Sequence, residues 1–234
     1  MTEQTRSPRH AAAELSSAPI SHGKPVPARA LHPSLPTSSL PPGTKGRILA
    51  SALSSFATLG FAGTSIRTIA DAAGINSATL YSHFSSKEAI LAELVSIGSH
   101  ELLARITAAL AEAESPAQCL DAIIEATVRA HAEYPLLAIV TNKEVAVLGP
   151  DLAGPATAPT REAAALLRRI LAEGVASRVF DLPEPEITAH ILEGMAQHLA
   201  GWVDPDNDEP EQLAREYVRT ARRIVADPRG SAPS

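Results

Sequence analysis

Cysteine, aromatic residues and long apolar runs are all scarce in this sequence of 234 residues. The one cysteine, Cys119, excludes an internal disulfide and a cysteine-rich zinc site. No apolar stretch approaches the roughly 18 residues of a membrane-spanning helix, and the N-terminus lacks the apolar core of a signal peptide. We therefore expect a soluble, cytoplasmic protein that is stabilised by packing.

Positive charge is also in deficit, because the net charge is −6, and this argues at first against a nucleic-acid partner. The charges are unevenly distributed, however. Residues 1–90 hold eight Lys and Arg against four Asp and Glu, so the remaining residues hold 12 against 22. This asymmetry predicts an N-terminal part that faces nucleic acid and an acidic body with a second task.

The N-terminal segment, residues 1–43, contains eight of the 19 prolines and few large apolar residues. Such a segment cannot bury enough apolar surface to offset its ordering entropy, so we predict that it is disordered. It is either a weakly basic arm that follows DNA or a solvated extension without a role. A second disordered tail is predicted for residues 227–234.

Three amphipathic helical segments follow. The first, residues 44–58, repeats apolar residues every four positions. Thr64 or Ser65 can cap the second, which a glycine closes. After a tight turn, Asn76 can cap the third, residues 77–83. Two short helices across a glycine turn, braced by a longer one, predict a helix-turn-helix.

A long fourth helix is predicted from Lys87 towards Glu112, with Ser85 and Glu88 at the spacing of a capping box. Helical periodicity continues to the end of the chain, with proline, glycine and capping signals between the segments, Asp181 and Glu184 among them. The further helices are predicted at residues 116–133, 136–147, 160–177, 185–203 and 210–226. With no strand pattern and no repeat, the fold class is all-α with about nine helices.

The second short helix of a helix-turn-helix lies in the major groove with its N-terminal residues at the base edges. Small residues there, such as Ser77 and Thr79, permit close approach, whereas Tyr81 can reach a phosphate. Arg67 is long enough for a phosphate or a guanine edge. Each residue alone could be an ordinary surface group, but together they form one positively charged unit. The predicted DNA-contacting residues are Lys45, Arg47, Ser65, Arg67, Ser77, Ala78, Thr79, Tyr81, His83 and Lys87.

The sequence of this unit resembles the DNA-binding domain of the tetracycline-repressor (TetR) family over residues 44–90. The matching motif comprises residues 47–49, 56, 60–61, 64–70, 73–75, 80–84 and 87–91. By resemblance, the base-reading positions are Arg67, Ser77, Ala78 and Thr79, and the phosphate-contacting positions are Tyr81, His83 and Lys87. The sequence departs from the family where Leu53 replaces the usual alanine and Asn76 the frequent serine cap.

The resemblance implies that residues 91–226 form a helical domain for ligand sensing and dimerisation. Two helices from each subunit could then form a symmetric four-helix interface that matches a palindromic operator. The alternative is that the apolar faces of these helices belong to the core of one subunit. The candidate interface residues are Ile187, Ile191, Met195, His198, Trp202, Leu213, Tyr217, Ala221 and Ile224.

A ligand pocket is expected between residues 97 and 177, mostly apolar with a few polar groups. His131 there is either a ligand contact or a satisfied core histidine. The pattern of residues 174–202 is similar to sensor domains of TetR regulators of fatty-acid, acyl-CoA and sterol breakdown, which implies a lipophilic ligand such as an acyl-CoA. The candidate pocket residues are His100, Cys119, Ile123, Thr127, His131, Ile139, Asn142 and Lys143.

Other classes of function have little support. The sequence has no nucleophile elbow, no glycine-rich phosphate loop and no catalytic Cys, His and Asp set, so we expect neither an enzyme nor a cofactor. His190 and Glu193 provide at most half of a metal site. A general DNA-coating protein would need a broad basic surface. We therefore expect a homodimeric repressor, the alternatives being an activator or a response to a non-lipid ligand.

Overall fold

The computed structural model describes residues 35–36, 40–203 and 208–226. Across these ranges the chain forms nine α-helices, one short 3-10 turn and no strand, which confirms the prediction of an all-α fold. In the same ranges, no helix is both long enough and apolar enough to cross a membrane. Most of the predicted tails, residues 1–43 and 227–234, lies outside the described residues.

The helices follow one another through short connections. Their bounds are α1 Thr44–Gly63, α2 Ile66–Ala72, α3 Ser77–His83, α4 Lys87–Leu110, α5 Pro116–Glu133, α6 Pro135–Glu144, α7 Pro150–Ala176, α8 Pro185–Leu199 and α9 Pro210–Val225. The 3-10 turn, Val145–Val147, follows α6. A proline opens each helix from α5 to α9, at the position where the missing N–H has no partner within the helix.

The first three helices and the start of α4 enclose one apolar core. Phe56, Leu80 and Ile90 are almost completely buried in it, and Leu35, from the described part of the N-terminal segment, packs there too. The regular helix of α1 breaks at Gly60, two residues after its predicted end, and the φ of 74° suits a residue without a Cβ. These contacts hold α2 and α3 in a fixed arrangement.

Side-chain caps start both short helices. The Ser65 Oγ accepts a hydrogen bond from the Thr68 N–H at 3.0 Å, and the Asn76 Oδ1 accepts one from the Thr79 N–H at 2.8 Å. Of the two predicted caps for α2, the structure therefore uses Ser65. The caps satisfy N–H groups that have no helical partner, and this fixes where each helix begins.

α4 joins the two halves of the chain. Its 24 residues contribute Leu91 and Leu94 to the first core and Ile106 to the second. The predicted cap at Ser85 is wrong, because the Ser86 Oγ accepts from the Ala89 N–H at 3.1 Å. The predicted capping box required Ser85 as the N-cap, but the N-cap is Ser86 and the helix begins at Lys87, as predicted.

α7 begins ten residues before the predicted start at residue 160. The stretch of glycine and proline after Gly149 indicated a loop, but α7 includes Pro155 and Pro159. The lost N–H bonds are outweighed by packing, since Ala156, Pro159 and Ala163 are buried and α7 lies along α4. Tertiary contacts therefore override the local helix propensity.

α8 begins at Pro185, as predicted, but its cap and its end differ from the prediction. The helix ends at Leu199, so Trp202 and Val203 lie in the following turn. No side-chain cap precedes α8, and the backbone N–H of Asp181 instead donates to the Val225 carbonyl at the end of α9. The predicted capping box is wrong because Asp181 lies three residues before the N-cap, Glu184.

The second core lies around α5. This helix packs against α4, α7, α8 and α9, and Leu120 and Val128 are buried in the contacts. Further side chains of this core come from α4, α7, α8, α9 and the segment after α7, with Leu171 and Leu199 completely buried. The helices of the C-terminal half thus surround a common apolar interior.

Candidate functional site

The residues predicted to contact DNA are displayed on the outer face of α3. Ala78, Tyr81 and His83 are exposed, and Tyr81 keeps 55% of its surface in solvent. Ser77 and Thr79 are half-buried at the start of the helix. Ala78, Tyr81 and His83 are therefore accessible to a partner, whereas Ser77 and Thr79 are accessible in part.

Arg67 lies in the first turn of the neighbouring helix, α2. Its side chain is 87% exposed, and its Nε lies 3.7 Å from the Asp71 carboxylate one helical turn later. A surface ion pair of this kind contributes little energy, so the guanidinium can exchange this partner for a phosphate or base. Ser65, by contrast, already uses its side chain as the cap of α2.

The Lys87 ammonium is bound to the turn between α1 and α2. Its Nζ donates to the carbonyl oxygens of Phe61 and Thr64, each at 2.7 Å, and lies 4.1 Å from the centre of the Phe61 ring. Such charge-assisted bonds and cation–π contacts hold the two segments together. The residue predicted to contact phosphate therefore also attaches the first turn of α4 to the DNA-facing unit.

Two further predicted DNA contacts lie on α1. The Lys45 Nζ is 2.6 Å from the Glu93 carboxylate and 5.5 Å from the centre of the Phe84 ring. Arg47 is exposed and donates to the Thr44 hydroxyl at 3.3 Å. Arg47 is thus accessible to a DNA backbone, whereas Lys45 is paired within the protein.

A cavity of about 260 Å³ lies among helices α4 to α8. Its walls are largely apolar, with Leu102, Leu137, Leu167 and Leu192 each contributed by a different helix. Polar side chains interrupt these walls at several points. An apolar concave site with a few polar groups is typical of small-molecule binding sites.

Half of the predicted pocket residues line this cavity. They are Ile123, Thr127, His131 and Asn142. The other four predicted residues do not line this cavity. His100 is exposed and bonded to the Ser96 carbonyl, Cys119 lies near Ala113, Ile139 packs on the first core and Lys143 is exposed. Helical periodicity could not show which neighbouring face of each helix turns towards the cavity.

Several lining residues were missed from sequence. Thr157 and Thr160 belong to the segment of α7 around its prolines, and Glu193 was considered only as half of a metal site. Tyr134, after α5, was treated only as a helix boundary. The signal that could have identified Glu193 is its position near apolar Leu192 on a helix with a strong apolar face.

His131 is buried beside the cavity with its Nδ1 2.8 Å from the Ala196 carbonyl. Because a carbonyl only accepts, Nδ1 carries the hydrogen. Burial lowers the pKa of His131, although the bond to Ala196 opposes this shift, and the ring is neutral at pH 7. The sequence left open a core or a ligand role, and the structure gives His131 both a backbone partner and a place on the cavity wall.

Charged groups at one edge of the cavity form a network around Arg105. Its guanidinium donates to Glu101 at 2.6 Å and to Glu133 at 2.7 Å, and this raises its pKa although burial opposes the shift. The hydrogen bond from Arg105 lowers the pKa of Glu133. Burial, together with a hydrogen bond to Glu133, raises the pKa of Tyr134 to about 12. The network keeps these charges paired at the cavity edge.

An apolar face of α8 and its following turn is open to solvent. Ile187, Ile191 and Trp202 are 58%, 48% and 41% exposed, with half-buried Met195 and exposed His198 on the same face. Large apolar side chains clustered on a surface are typical of an interaction site. These five residues are the α8 part of the predicted interface.

The predicted interface residues of α9 face the interior of the subunit more than those of α8 do. Ala221 is buried inside the subunit, and Leu213, Tyr217 and Ile224 are half-buried against the second core. The Tyr217 hydroxyl also donates to the Met195 carbonyl at 3.3 Å. The prediction for Ala221 is therefore corrected, because α9 turns this face towards α5.

The two potential metal ligands noted on α8 do not gather further ligands. The His190 Nδ1 donates to the Glu186 carbonyl at 2.7 Å. Within residues 35–36, 40–203 and 208–226, no group of three or more His, Cys, Asp or Glu side chains is arranged to hold a metal ion.

Family models match both halves of the chain. Residues 48–94 match the model of bacterial regulatory proteins of the tetR family, and residues 113–225 match the tetracyclin repressor-like C-terminal domain. Together these matches cover the helix-turn-helix and most of the helices that enclose the cavity.

Individual proteins give the same result. The HTH-type transcriptional repressor KstR2 of Mycolicibacterium smegmatis is 30% identical over 187 residues, covering 78% of this chain and 90% of the relative. A tetR-family regulatory protein from Rhodococcus RHA1 has a TM-score of 0.74 and 26% identity, covering 80% of this chain and 98% of that one. AibR in complex with isovaleryl coenzyme A and operator DNA has a similar fold, with a TM-score of 0.67, 22% identity, and coverage of 74% and 95%. The chain belongs to the TetR family and is a DNA-binding transcriptional regulator.

Proposed function

We propose that this regulator is a homodimeric repressor that binds a palindromic operator and is released from it by a small lipophilic ligand. The observation that carries the proposal is the path of α4. This helix begins at Lys87, bound to the α1–α2 turn, and lines the cavity further along, from Val95 to Ile106. A change in the cavity can therefore move the DNA-facing unit.

The proposal assigns one task to each half of the chain. Residues 44–90 bind DNA in the cytoplasm, and residues 91–226 sense the ligand and dimerise. The base-reading residues are Arg67 and the N-terminal end of α3, and Tyr81, His83 and Arg47 contact phosphates. The exposure of Arg47, Arg67, Tyr81 and His83 to solvent supports this assignment.

Dimerisation through α8 would match the symmetry of the DNA. A two-fold interface uses the same patch on both subunits, and the face of Ile187, Ile191 and Trp202 is such an apolar patch. Two α3 helices related by that axis would enter successive major grooves about 34 Å apart. A single α3 would make too few base contacts to select one genomic site.

The apolar walls of the cavity support a lipophilic ligand. An acyl-CoA is one candidate of this class, suggested by the sequence resemblance and by the ligand in the AibR complex. Its acyl chain would suit the apolar walls. Its phosphates would have to remain outside, because no Lys or Arg side chain lines the cavity within the described part of the chain.

Ligand and DNA would compete through two dimer geometries. A ligand that binds one geometry better shifts the population towards it, and α4 then changes the separation of the two α3 helices. A 10- to 100-fold loss of DNA affinity requires only about 1.4 to 2.7 kcal/mol of coupling. A displacement of a few ångströms is enough, since both half-sites must be contacted at once.

The experiment that tests this function is a selection from fragmented DNA of the source organism at about 0.15 M salt. Full-length protein should retain a recurrent palindrome, and Arg67→Ala should abolish that enrichment. Arg161→Ala, an exposed arginine on α7, is the matched control and should retain the same palindrome. Absence of any enriched sequence with folded, dimeric protein would contradict the proposal. Transcription from the selected promoter would then separate a repressor from an activator.

A further inference from the structure

The hydroxyl groups inside the cavity have few free donor hydrogens. Thr127, Thr141 and Thr157 donate to the backbone carbonyls of their own helices at 2.7, 3.1 and 2.8 Å. Each hydroxyl hydrogen is thereby committed, whereas the oxygen lone pairs of Thr127 and Thr141 remain available. The Thr157 oxygen also accepts from Arg161 at 2.6 Å and keeps one lone pair. These three side chains therefore present acceptors to a ligand.

The remaining hydroxyls follow the same pattern with one exception. Thr160 donates to the Ser99 Oγ at 2.9 Å, and Tyr134 shares a hydrogen bond with the Glu133 carboxylate, to which a phenol can only donate. Ser99 alone among the lining hydroxyls retains its own hydrogen. The side-chain amides that line the cavity, Asn142 and Gln197, belong to exposed residues.

His131 adds an acceptor at the α5–α8 wall. Its Nδ1–H donates to the Ala196 carbonyl, so the Nε2 of the neutral ring carries a lone pair. Among the described residues no group hydrogen-bonds this Nε2. The Nε2 retains some accessible surface, and His131 lines the cavity, so this nitrogen can accept a hydrogen bond from a bound small molecule.

Glu193 brings a second acceptor to the same wall. It precedes Ala196 by three residues, so both lie on one side of α8. Its Oε1 is buried without a hydrogen-bond partner in the described part of the chain, although Arg168 lies 3.4 Å away at a poor angle. A buried carboxylate oxygen without a hydrogen bond destabilises the protein, so binding of a ligand that donates a hydrogen bond to it would be strongly favoured.

Carboxylates outnumber cations around the cavity, because Arg105 is shared by Glu101 and Glu133 and Arg168 by Glu186 and Glu193. No cationic side chain lines the cavity in the ranges that the structure describes. A ligand carboxylate would therefore meet acceptors and carboxylates without a compensating charge, and its desolvation would be unfavourable.

We propose that the cavity binds an apolar alcohol, with its single hydroxyl hydrogen donated to the Glu193 Oε1 and the His131 Nε2 as the alternative acceptor on the same wall. This inference rests on the proposed function, because it specifies the ligand of the same sensing site. The hydroxyl is a single neutral donor, and the carbon skeleton occupies the space between the leucine walls of α4, α6 and α7. A carboxylic acid of the same length lacks that donor when ionised and is disfavoured.

The test is calorimetric titration of the full-length protein with four probes of equal chain length. These are 1-decanol, its methyl ether, decanoate and decanoyl-coenzyme A. We expect 1-decanol to bind about tenfold more tightly than the ether, the size of one well-formed hydrogen bond. Decanoate and decanoyl-coenzyme A should bind more weakly than the alcohol.

Two variants identify the acceptors. Glu193→Met should bring the affinities of alcohol and ether to within about twofold of each other, with His131→Phe as the second variant. Glu186→Met is the matched control, since it removes the other carboxylate from Arg168 without lining the cavity. It should leave the preference for the alcohol unchanged. Circular dichroism establishes that each variant is folded before titration.

Several results would overturn the inference. They are equal binding of alcohol and ether, tighter binding of decanoate or decanoyl-coenzyme A, no binding of any probe, and a preference that survives in both variants. The titration contains no DNA, so its outcome is separate from the selection of a palindrome. A protein that prefers the alcohol but selects no DNA sequence would support this inference and contradict the proposed function.

Discussion

Thr79 and Tyr81 lie two residues apart on α3 but should affect DNA binding differently. Thr79→Val keeps the shape of the side chain and removes its hydroxyl, so we expect an altered base preference. Tyr81→Phe removes only the exposed hydroxyl and should weaken binding to all sequences by a similar factor, about 2- to 10-fold. Both effects can be measured by a selection from random DNA, in which the enriched sequences and the affinities of the variants are compared with those of the wild type.

Ser82→Ala provides the control for these variants. Ser82 is exposed on the same helix and donates its hydroxyl to the Thr79 carbonyl, so the substitution should alter neither the selected sequence nor the general affinity. An unchanged base preference in Thr79→Val would show that this hydroxyl does not read DNA. A Tyr81→Phe protein with altered preference and full affinity would contradict its role at the phosphates.

His131 should make stability depend on pH. Burial lowers its pKa in the folded protein below the ordinary 6.5, so near that pH the unfolded chain binds a proton that the native state does not. The stabilising effect is complete above the unfolded pKa and is lost as the pH falls through the folded value. Between these two pKa values, each pH unit lowers the free energy of unfolding by at most about 1.4 kcal/mol.

Urea unfolding at about pH 7.5 and about pH 5.5 measures this loss. The decrease in unfolding free energy should be smaller in His131→Gln than in the wild type. His100→Gln, which alters an exposed histidine, should retain the wild-type decrease. An identical decrease in the wild type and in His131→Gln would show that His131 does not titrate differently in the two states.

Residue-level patterns predicted the starts of α2 and α3 better than the residues that line the cavity. The caps at Ser65 and Asn76 are local hydrogen bonds, so adjacent residues determine them. The cavity depends instead on how five helices rotate against one another, and half of its predicted residues, including His100, lie elsewhere. The contact of Lys87 with the Phe61 carbonyl joins positions 26 residues apart and left no sequence signal.

At the scale of the elements, the close approach of α7 to the segment after it depends on Gly174. A Cβ at this position would overlap the Phe180 ring, which is buried in the second core. We therefore expect Gly174→Ala to lower the unfolding free energy by about 1 to 3 kcal/mol, as overpacked sites do. Chemical denaturation of the purified protein measures this change.

Gly154→Ala is the matched control on the same helix. A Cβ there meets no atom within 4 Å, and alanine favours helix over glycine. This variant should be more stable than the wild type by about 0.5 to 1 kcal/mol. An equally stabilising Gly174→Ala would contradict the close contact between Phe180 and position 174 of α7.

Elements with clear periodicity were predicted to within a few residues, whereas α7 was not. Its first ten residues combine Gly154, Pro155 and Pro159, which indicate a loop when read locally. The helix forms because its apolar side chains pack on α4, a contact between residues far apart in sequence. Propensity is a weak prior that such packing overrides.

At the scale of the whole molecule, the exposed face of α8 should determine the oligomeric state. Ile191→Glu places a charge at the centre of that face and should convert the dimer to a monomer at micromolar concentration, because a buried unpaired charge is costly. Light scattering after size exclusion measures the mass. Val179→Glu, another exposed apolar site, is the control and should remain dimeric.

Loss of the dimer should also reduce specific DNA binding, since both half-sites must be occupied by one particle. A monomeric Ile191→Glu protein that binds the selected palindrome as tightly as the wild type would contradict the link between α8 and DNA recognition. A dimeric Ile191→Glu protein would show that another surface forms the interface.

Footprinting of the purified protein on the selected DNA tests the central claim most directly. We predict two protected half-sites related by two-fold symmetry, with centres separated by about 10 base pairs or a multiple of that spacing. Both should disappear together in Arg67→Ala. A single asymmetric footprint, or uniform protection without sequence preference, would contradict a dimeric regulator that reads DNA through α3.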